Sequence, residues 1–202
     1  MCWNFKRLSL LCYLLPLLSY AQEEDAKTRE ATSSYIEAAV IAPLYYGDNF
    51  LSEGYTTALG LEVGAVFQFE NSITAHFDIN YSRPEISNTS LIGEIESTNT
   101  TRISGGIGYA IPLSSKITFL PALNVGYVKL GHQQDEDRFR DDGFFIAPEV
   151  QLNIKLLKSW ELYLGVKHYF DFYSINAPQP IQDFFNDASA IAPIIGVRLK
   201  VG

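Results

Sequence analysis

Leu59–Ser82 reads LGLEVGAVFQFENSITAHFDINYS, and hydrophobicity alternates in it with a period of two on both sides of the polar Glu70-Asn71-Ser72. That pattern is a β-hairpin. In the first arm Leu59, Leu61, Val63, Ala65, Phe67 and Phe69 share one face. Gly60, Glu62, Gly64 and Gln68 share the other, where Val66 is the single apolar exception. In the second arm Ile73, Ala75, Phe77, Ile79 and Tyr81 oppose Thr74, His76, Asp78, Asn80 and Ser82. One face is therefore apolar along its length, and the reverse carries ionisable groups. A soluble sheet would bury the first face, whereas a barrel that crosses a membrane turns it to lipid and encloses the second.

The same alternation recurs outward from this hairpin over Ser34–Tyr46, Thr101–Pro112, Lys116–Leu130, Phe144–Leu156, Ser159–Asp171 and Ala188–Val201. Phe144–Leu156 is the cleanest, with Ile146, Val150, Leu152 and Ile154 against Glu149, Gln151, Asn153 and Lys155. Eight strands result. Three connections are short, around Asn71, at Ser114-Ser115 and at Leu157-Lys158, and four are long and polar, at 47–54, 83–100, 131–143 and 172–187. Long and short alternate strictly, which places every long connection at one end of an up-and-down meander. Outward aromatics gather at both ends of the strands. Phe69, Tyr109, Phe119 and Trp160 stand near the short turns, and Tyr81, Tyr127, Phe144 and Phe170 near the long loops. Two interfacial girdles are the expectation.

The first residues carry a different signal. Lys6 and Arg7 precede an apolar run from Leu8 to Leu18, then come the small residues Ser19 and Ala21 around Tyr20, and then Gln22-Glu23-Glu24-Asp25. This predicts a secretory signal peptide over residues 1–21, a flexible periplasmic leader over 22–33 and the barrel over 34–202. Both cysteines, Cys2 and Cys12, fall in the signal segment, so the expected mature chain has no thiol for disulfides, metal binding or nucleophilic catalysis. Loss of Lys6 and Arg7 from the 15 basic residues, against 23 acidic ones, takes the formal charge from −8 to −10. Such an acidic chain is a poor ligand for nucleic acid. No other stretch holds a long unbroken apolar run, so any membrane crossing must use strands.

On these strands and connections, residues 34–202 resemble the small eight-stranded outer-membrane β-barrels of the OmpA/OmpX type. The resemblance implies an all-β, antiparallel up-and-down transmembrane barrel in the bacterial outer membrane, monomeric, surrounded by lipid, with its long loops outside the cell. Members of that group resemble one another in ending on an aromatic residue. Here Leu199-Lys200-Val201-Gly202 stands at that place, a departure that bears on the assembly signal.

The inward face collects Glu37, Glu62, Asp78, Glu149 and Glu161 with Arg102, Lys155, Lys167, Arg198 and Lys200. An eight-stranded barrel is just wide enough for its own side chains. An unpaired charge there costs several kcal/mol, so this set is expected to form a charge-paired core, with inward glycines making room for it. The three histidines, His76, His132 and His168, have neither the neighbours nor the spacing of a metal site, and no cofactor is expected. Lipid-modifying barrels resemble one another in a serine–histidine pair on the lipid-facing wall. His168 is on that face, but Tyr169 and Phe170 follow it. The densest charge run is Asp135, Glu136, Asp137, Arg138, Arg140, Asp141 and Asp142, expected as a solvated external loop, and it lacks the ligand and glycine spacing of an EF-hand. The fourth loop's Phe172-Tyr173 and Phe184-Phe185 are expected as an amphipathic contact surface. The chain thus reads as a non-enzymatic barrel whose external loops serve structural, adhesive or recognition roles toward a protein or glycan. A secreted lipocalin-like ligand-binding barrel and a lipid-modifying outer-membrane enzyme are the alternatives.

Overall fold

A computed structural model describes residues 32–57 and 59–201. The expected signal peptide and the leader up to residue 31 lie outside the described residues. Eight antiparallel staves follow in chain order. They are β1 (Ser33–Ile41, resumed at Leu44–Tyr46), β2 (Gly60–Gln68), β3 (Ile73–Ser82), β4 (Ser97–Tyr109, resumed at Ile111–Pro112), β5 (Ile117–Gln134), β6 (Asp137–Lys155), β7 (Trp160–Tyr173) and β8 (Asp187–Lys200). Each pairs with the next, and β8 returns to pair with β1 from Tyr35↔Lys200 to Ile41↔Ile194. The barrel is closed, which leaves no open sheet edge at the height of the membrane. β1 pauses at Ala42-Pro43 because proline has no N–H to give a ladder, while Ala42 N still donates to Pro193 O at 3.1 Å.

Residues of the apolar faces point outward. Leu61, Val63, Phe77 and Ile107 are 64%, 54%, 49% and 66% exposed, values that no soluble barrel would leave to water. The inward-facing soluble alternative is therefore overturned: these residues line the outside, and the ionisable ones line the inside. From Trp160 to Phe170 the wall runs ten residues, or roughly 25 Å at the usual strand tilt, the height of a lipid-facing band. Inward glycines leave space for neighbours. A Cβ at Gly64 would collide with the Asp78 carboxylate, one at Gly106 with the Asn124 side chain, and one at Gly196 with the Tyr163 ring.

The short-turn end matches the expected turns, with Phe69 N donating to Ile73 O, Leu113 N to Ile117 O and Leu156 N to Trp160 O, each at 2.9 Å. The other end departs from expectation. The predicted third loop, 131–143, is not a loop. β5 and β6 continue through it in unbroken register from Ile154↔Ile117 to Asp137↔Gln134 and turn only at Asp135-Glu136, where Asp135 takes φ 50°. β4 likewise begins at Ser97 rather than Thr101. These segments rise beyond the lipid, and their buried inner positions are polar (Thr98, Thr100, His132), so they lack the apolar and polar alternation that marks a strand in lipid. At 18 and 19 residues, β5 and β6 far exceed the roughly 9 to 11 residues that cross a bilayer.

Candidate functional site

The lower lumen is built from register. Glu37 on β1 faces Arg198 on β8, and Arg198 in turn faces Glu161 on β7, so a single guanidinium spans three strands at the closing seam. Arg198 Nε donates to Glu37 Oε1 at 2.6 Å and Nη2 donates to Gln151 Oε1 at 3.0 Å. Glu161 lies 3.8 Å from Nη1 and keeps 20% exposure. The Arg198 guanidinium also lies over the Tyr35 and Tyr163 rings at 5.2 and 5.8 Å, which shields it on its flat sides. Lys167 forms the middle of the network. Its Nζ is 2.8 Å from Glu62, 3.4 Å from Asp78 and 3.6 Å from Glu149, all side chains nearly without exposure. Glu149 is satisfied at both oxygens, since Gln151 Nε2 donates to Oε1 at 2.7 Å and Asn124 Nδ2 to Oε2 at 2.8 Å. Glu62 is less complete: its Oε2 and the Oδ1 of Asn80, the residue directly opposite, have no hydrogen-bond partner among the described residues.

A second buried pair lies nearer the long-loop end. Arg102 donates to Asp171 through Nε at 3.2 Å and Nη2 at 2.6 Å, the two-pronged geometry that suits guanidinium and carboxylate. Tyr173 OH adds a bond to Asp171 at 3.3 Å, and the Arg102 guanidinium stacks on Tyr169 at 4.4 Å. Around this pair lies an apolar layer that the expectation of a charged lumen missed. Val128, Leu130, Phe145, Ala147 and Tyr173 form it, with Ile41 and Ala190.

The expected first loop supplies its lid. Asn49 caps the short helix α1 (Phe50–Gly54) by accepting from Ser52 N at 3.1 Å. Phe50 and Leu51 then dip into the barrel mouth, at 4% and 0% exposure. Phe50 meets Tyr173 edge-on at 5.8 Å and stacks on Phe185 at 5.7 Å. The fourth-loop aromatics expected as a contact surface are thus largely consumed by packing. Phe185 sits on Phe50, Phe184 sits edge-on against Phe185, Tyr173 is buried, and Phe172 stacks outward on Phe144 at 4.8 Å.

The charged hairpin is anchored from inside. Thr98 Oγ1 lies 2.9 Å from His132 Nδ1 and 3.0 Å from Tyr55 OH, and His132 Nε2 is 3.3 Å from Asp141. Burial pushes the Tyr55 phenol up, so it stays a neutral hydrogen-bonding group. A hydroxyl, imidazole and carboxylate in line have the parts of a nucleophilic relay. Thr98 is 0% exposed, however, and Phe139 stacks over His132 at 5.1 Å, so no substrate reaches the hydroxyl. The arrangement is a clasp that holds the hairpin to β4. Asp135, Glu136, Asp137, Arg138 and Arg140 are exposed, and Asp142 lies 3.6 Å from Arg140. On the outer wall His168 hydrogen-bonds through Nε2 to the Tyr46 hydroxyl and packs against Phe170 at 4.1 Å.

Of the ten residues predicted for the lumen, Glu37, Glu62, Asp78, Glu149, Lys167 and Arg198 meet in the buried network, with Glu161 at its edge, and Arg102 is buried in the separate pair with Asp171. Lys155 is exposed and Lys200 half-buried at the short-turn end, outside the buried set, because both stand on the last turn of their strands. Sequence reasoning missed Asp171, the partner of Arg102, although it falls in phase with Lys167 and Tyr169 on the inward face of β7. It also left Asn124 and Gln151 out of the network, since their role depends on which carboxylate stands across the lumen.

The sequence matches no family model and no curated protein. The fold matches solved outer-membrane barrels. Neisserial surface protein A superposes with a TM-score of 0.68 at 11% identity, over 85% of this chain and 100% of that one. OprG of Pseudomonas aeruginosa gives 0.58 at 14% identity, over 88% and 99%. Ail, the attachment invasion locus protein of Yersinia pestis, solved in complex with the heparin analogue sucrose octasulfate, gives 0.58 at 11% identity, over 85% and 100%. The likeness is one of fold: a closed eight-stranded outer-membrane type of barrel.

Proposed function

We propose that this protein is a non-enzymatic, sealed outer-membrane barrel that works through its outward rim. The observation that carries the reading is the filled lumen. Two buried ion-pair layers, an apolar layer and the Phe50–Leu51 lid leave the interior to the protein's own side chains. His168 is bonded to a tyrosine and His132 to a buried threonine, which supports a role without catalysis.

Charge at the rim narrows the partner. Asp48, Glu53, Glu85, Glu94, Glu96, Asp183, Asp187 and the five acids of the hairpin face only Arg83, Lys129, Arg138 and Arg140. A sulfated glycan of the kind seen with Ail would meet net repulsion here, so an external protein suits this rim better. Trypsin added to intact cells tests the placement. Cleavage after Arg138 or Arg140 is expected, and cleavage only once the outer membrane is opened would overturn the outward orientation.

A further inference from the structure

Lys167 takes one oxygen of each of two carboxylates. Its Nζ reaches Glu62 through Oε1 at 2.8 Å and Asp78 through Oδ2 at 3.4 Å. Their second oxygens are left without a donor. Asp78 leans over Gly64, where a Cβ would strike its Oδ1, and Gly64 stands two residues from Glu62 on the same inward face of β2. Glu62 Oε2 is buried and meets no donor among the described residues. Across the rung Asn80 gives its Nδ2 to Leu61 O at 3.4 Å, which leaves the buried Oδ1 equally without one. Three oxygens from two neighbouring rungs of β2 and β3 therefore gather where no described donor stands. Charge is short at the same place. Glu37 and Asp171 each have their own guanidinium, on Arg198 and Arg102, whereas Glu62, Asp78 and Glu149 share one ammonium and keep two negative charges in excess. The nearby His76 does not make this up, since its Nε2 is 2.8 Å from Thr74 Oγ1 and a proton on Nδ1 would find no described acceptor. Buried charges are paired or bind metal ions.

We propose that Glu62 Oε2, Asp78 Oδ1 and Asn80 Oδ1 hold a dehydrated alkali cation, sodium or potassium, occluded in the lumen beside Lys167. Donors that are all oxygen select a hard cation. Calcium asks for roughly six to eight oxygens, and magnesium keeps several waters in an octahedron, so three side-chain oxygens in a filled lumen suit neither. Among the described residues no trio of histidine, cysteine or carboxylate side chains is placed as a tighter metal centre would need. The Lys167 ammonium, held on the other oxygen of each carboxylate, also repels a double charge twice as strongly as a single one. The inference rests on the lumen being filled, because an ion shut in there balances charge without conducting.

The test uses the full barrel folded in lipid vesicles and unfolded by urea, with sodium or potassium chloride replacing choline chloride at constant ionic strength. Raising either alkali ion from ~1 mM to ~300 mM should increase the wild-type folding constant at least about tenfold, the gain from a site with a dissociation constant of about 10 mM or tighter. Glu62→Gln should keep its stability and lose that response, because its amide answers Asn80 Oδ1 without an ion. Asp78→Asn is the second variant and should lose the response as well. A wild type that ignores both ions, whatever its response to pH, overturns the proposal, and so does an equal gain in the wild type and both variants. A barrel with neither conductance nor ion response keeps its sealed lumen and loses the bound ion.

Discussion

Arg198 donates from Nε to Glu37 Oε1 at 2.6 Å, and the two residues face each other across the seam on which β8 closes against β1. Both side chains are 3% exposed, so removing one leaves the other charged and without solvent. Arg198→Ala should destabilise the folded barrel by roughly 3 to 5 kcal/mol, read from urea unfolding in vesicles. Combining it with Glu37→Ala should recover part of that loss, because the stranded carboxylate is gone. A double variant as unstable as the sum of the singles would deny the pairing.

Lys167 serves three carboxylates, and its loss should be the most damaging single change in the lumen. Lys167→Met should abolish the compact barrel band on an unheated gel, because Glu62, Asp78 and Glu149 would then repel one another with no cation among them. Lys155→Met, at the exposed short-turn end, should stay within about 0.5 kcal/mol of wild type.

Two chemically identical substitutions should separate cleanly. Glu62→Gln removes one negative charge from the crowded side of Lys167 and offers an amide donor to the unsatisfied Asn80 Oδ1 opposite, so unfolding should show no loss of stability. Glu37→Gln weakens the charge-assisted bond to Arg198 and should cost about 1.5 to 3 kcal/mol. Equal effects at the two sites would refute the network as drawn.

Depth in the membrane should grade the cost of a charge on the outer wall. On β7 Val166 stands between the girdle residues Trp160 and Phe170, four residues from the nearer one, whereas Leu162 stands two residues from Trp160. Val166→Arg should cost roughly 2 to 4 kcal/mol, and Leu162→Arg distinctly less. The ordering is read from unfolding midpoints in vesicles, and a reversed order would move the membrane along the barrel.

How far the chain could be read follows from where lipid is. Between the girdles, each strand has lipid on one side and protein on the other, so a period of two is written plainly in residues such as Leu61, Glu62 and Val63. Above the outer girdle that contrast ends, and Phe139 is the single apolar residue from Gln133 to Asp142, too little to mark a strand although the segment is in one. The same limit hid the lid, because Phe50 and Leu51 are two apolar residues in a polar stretch until the barrel mouth is seen beneath them. Pairings across the lumen depend on strands far apart in sequence. The inward phase named Arg102 and Lys167, but only the closed barrel shows that Asp171 answers the first and three carboxylates answer the second.

The sealed lumen is tested most directly by single-channel recording of the purified barrel in planar bilayers. With Arg198 at the seam, Lys167 in the middle and Phe50 over the mouth, the wild type should show no stable step of conductance. A well-defined, ion-selective channel in the wild type, abolished by Arg198→Ala while the barrel remains folded, would contradict the account and make the protein a pore.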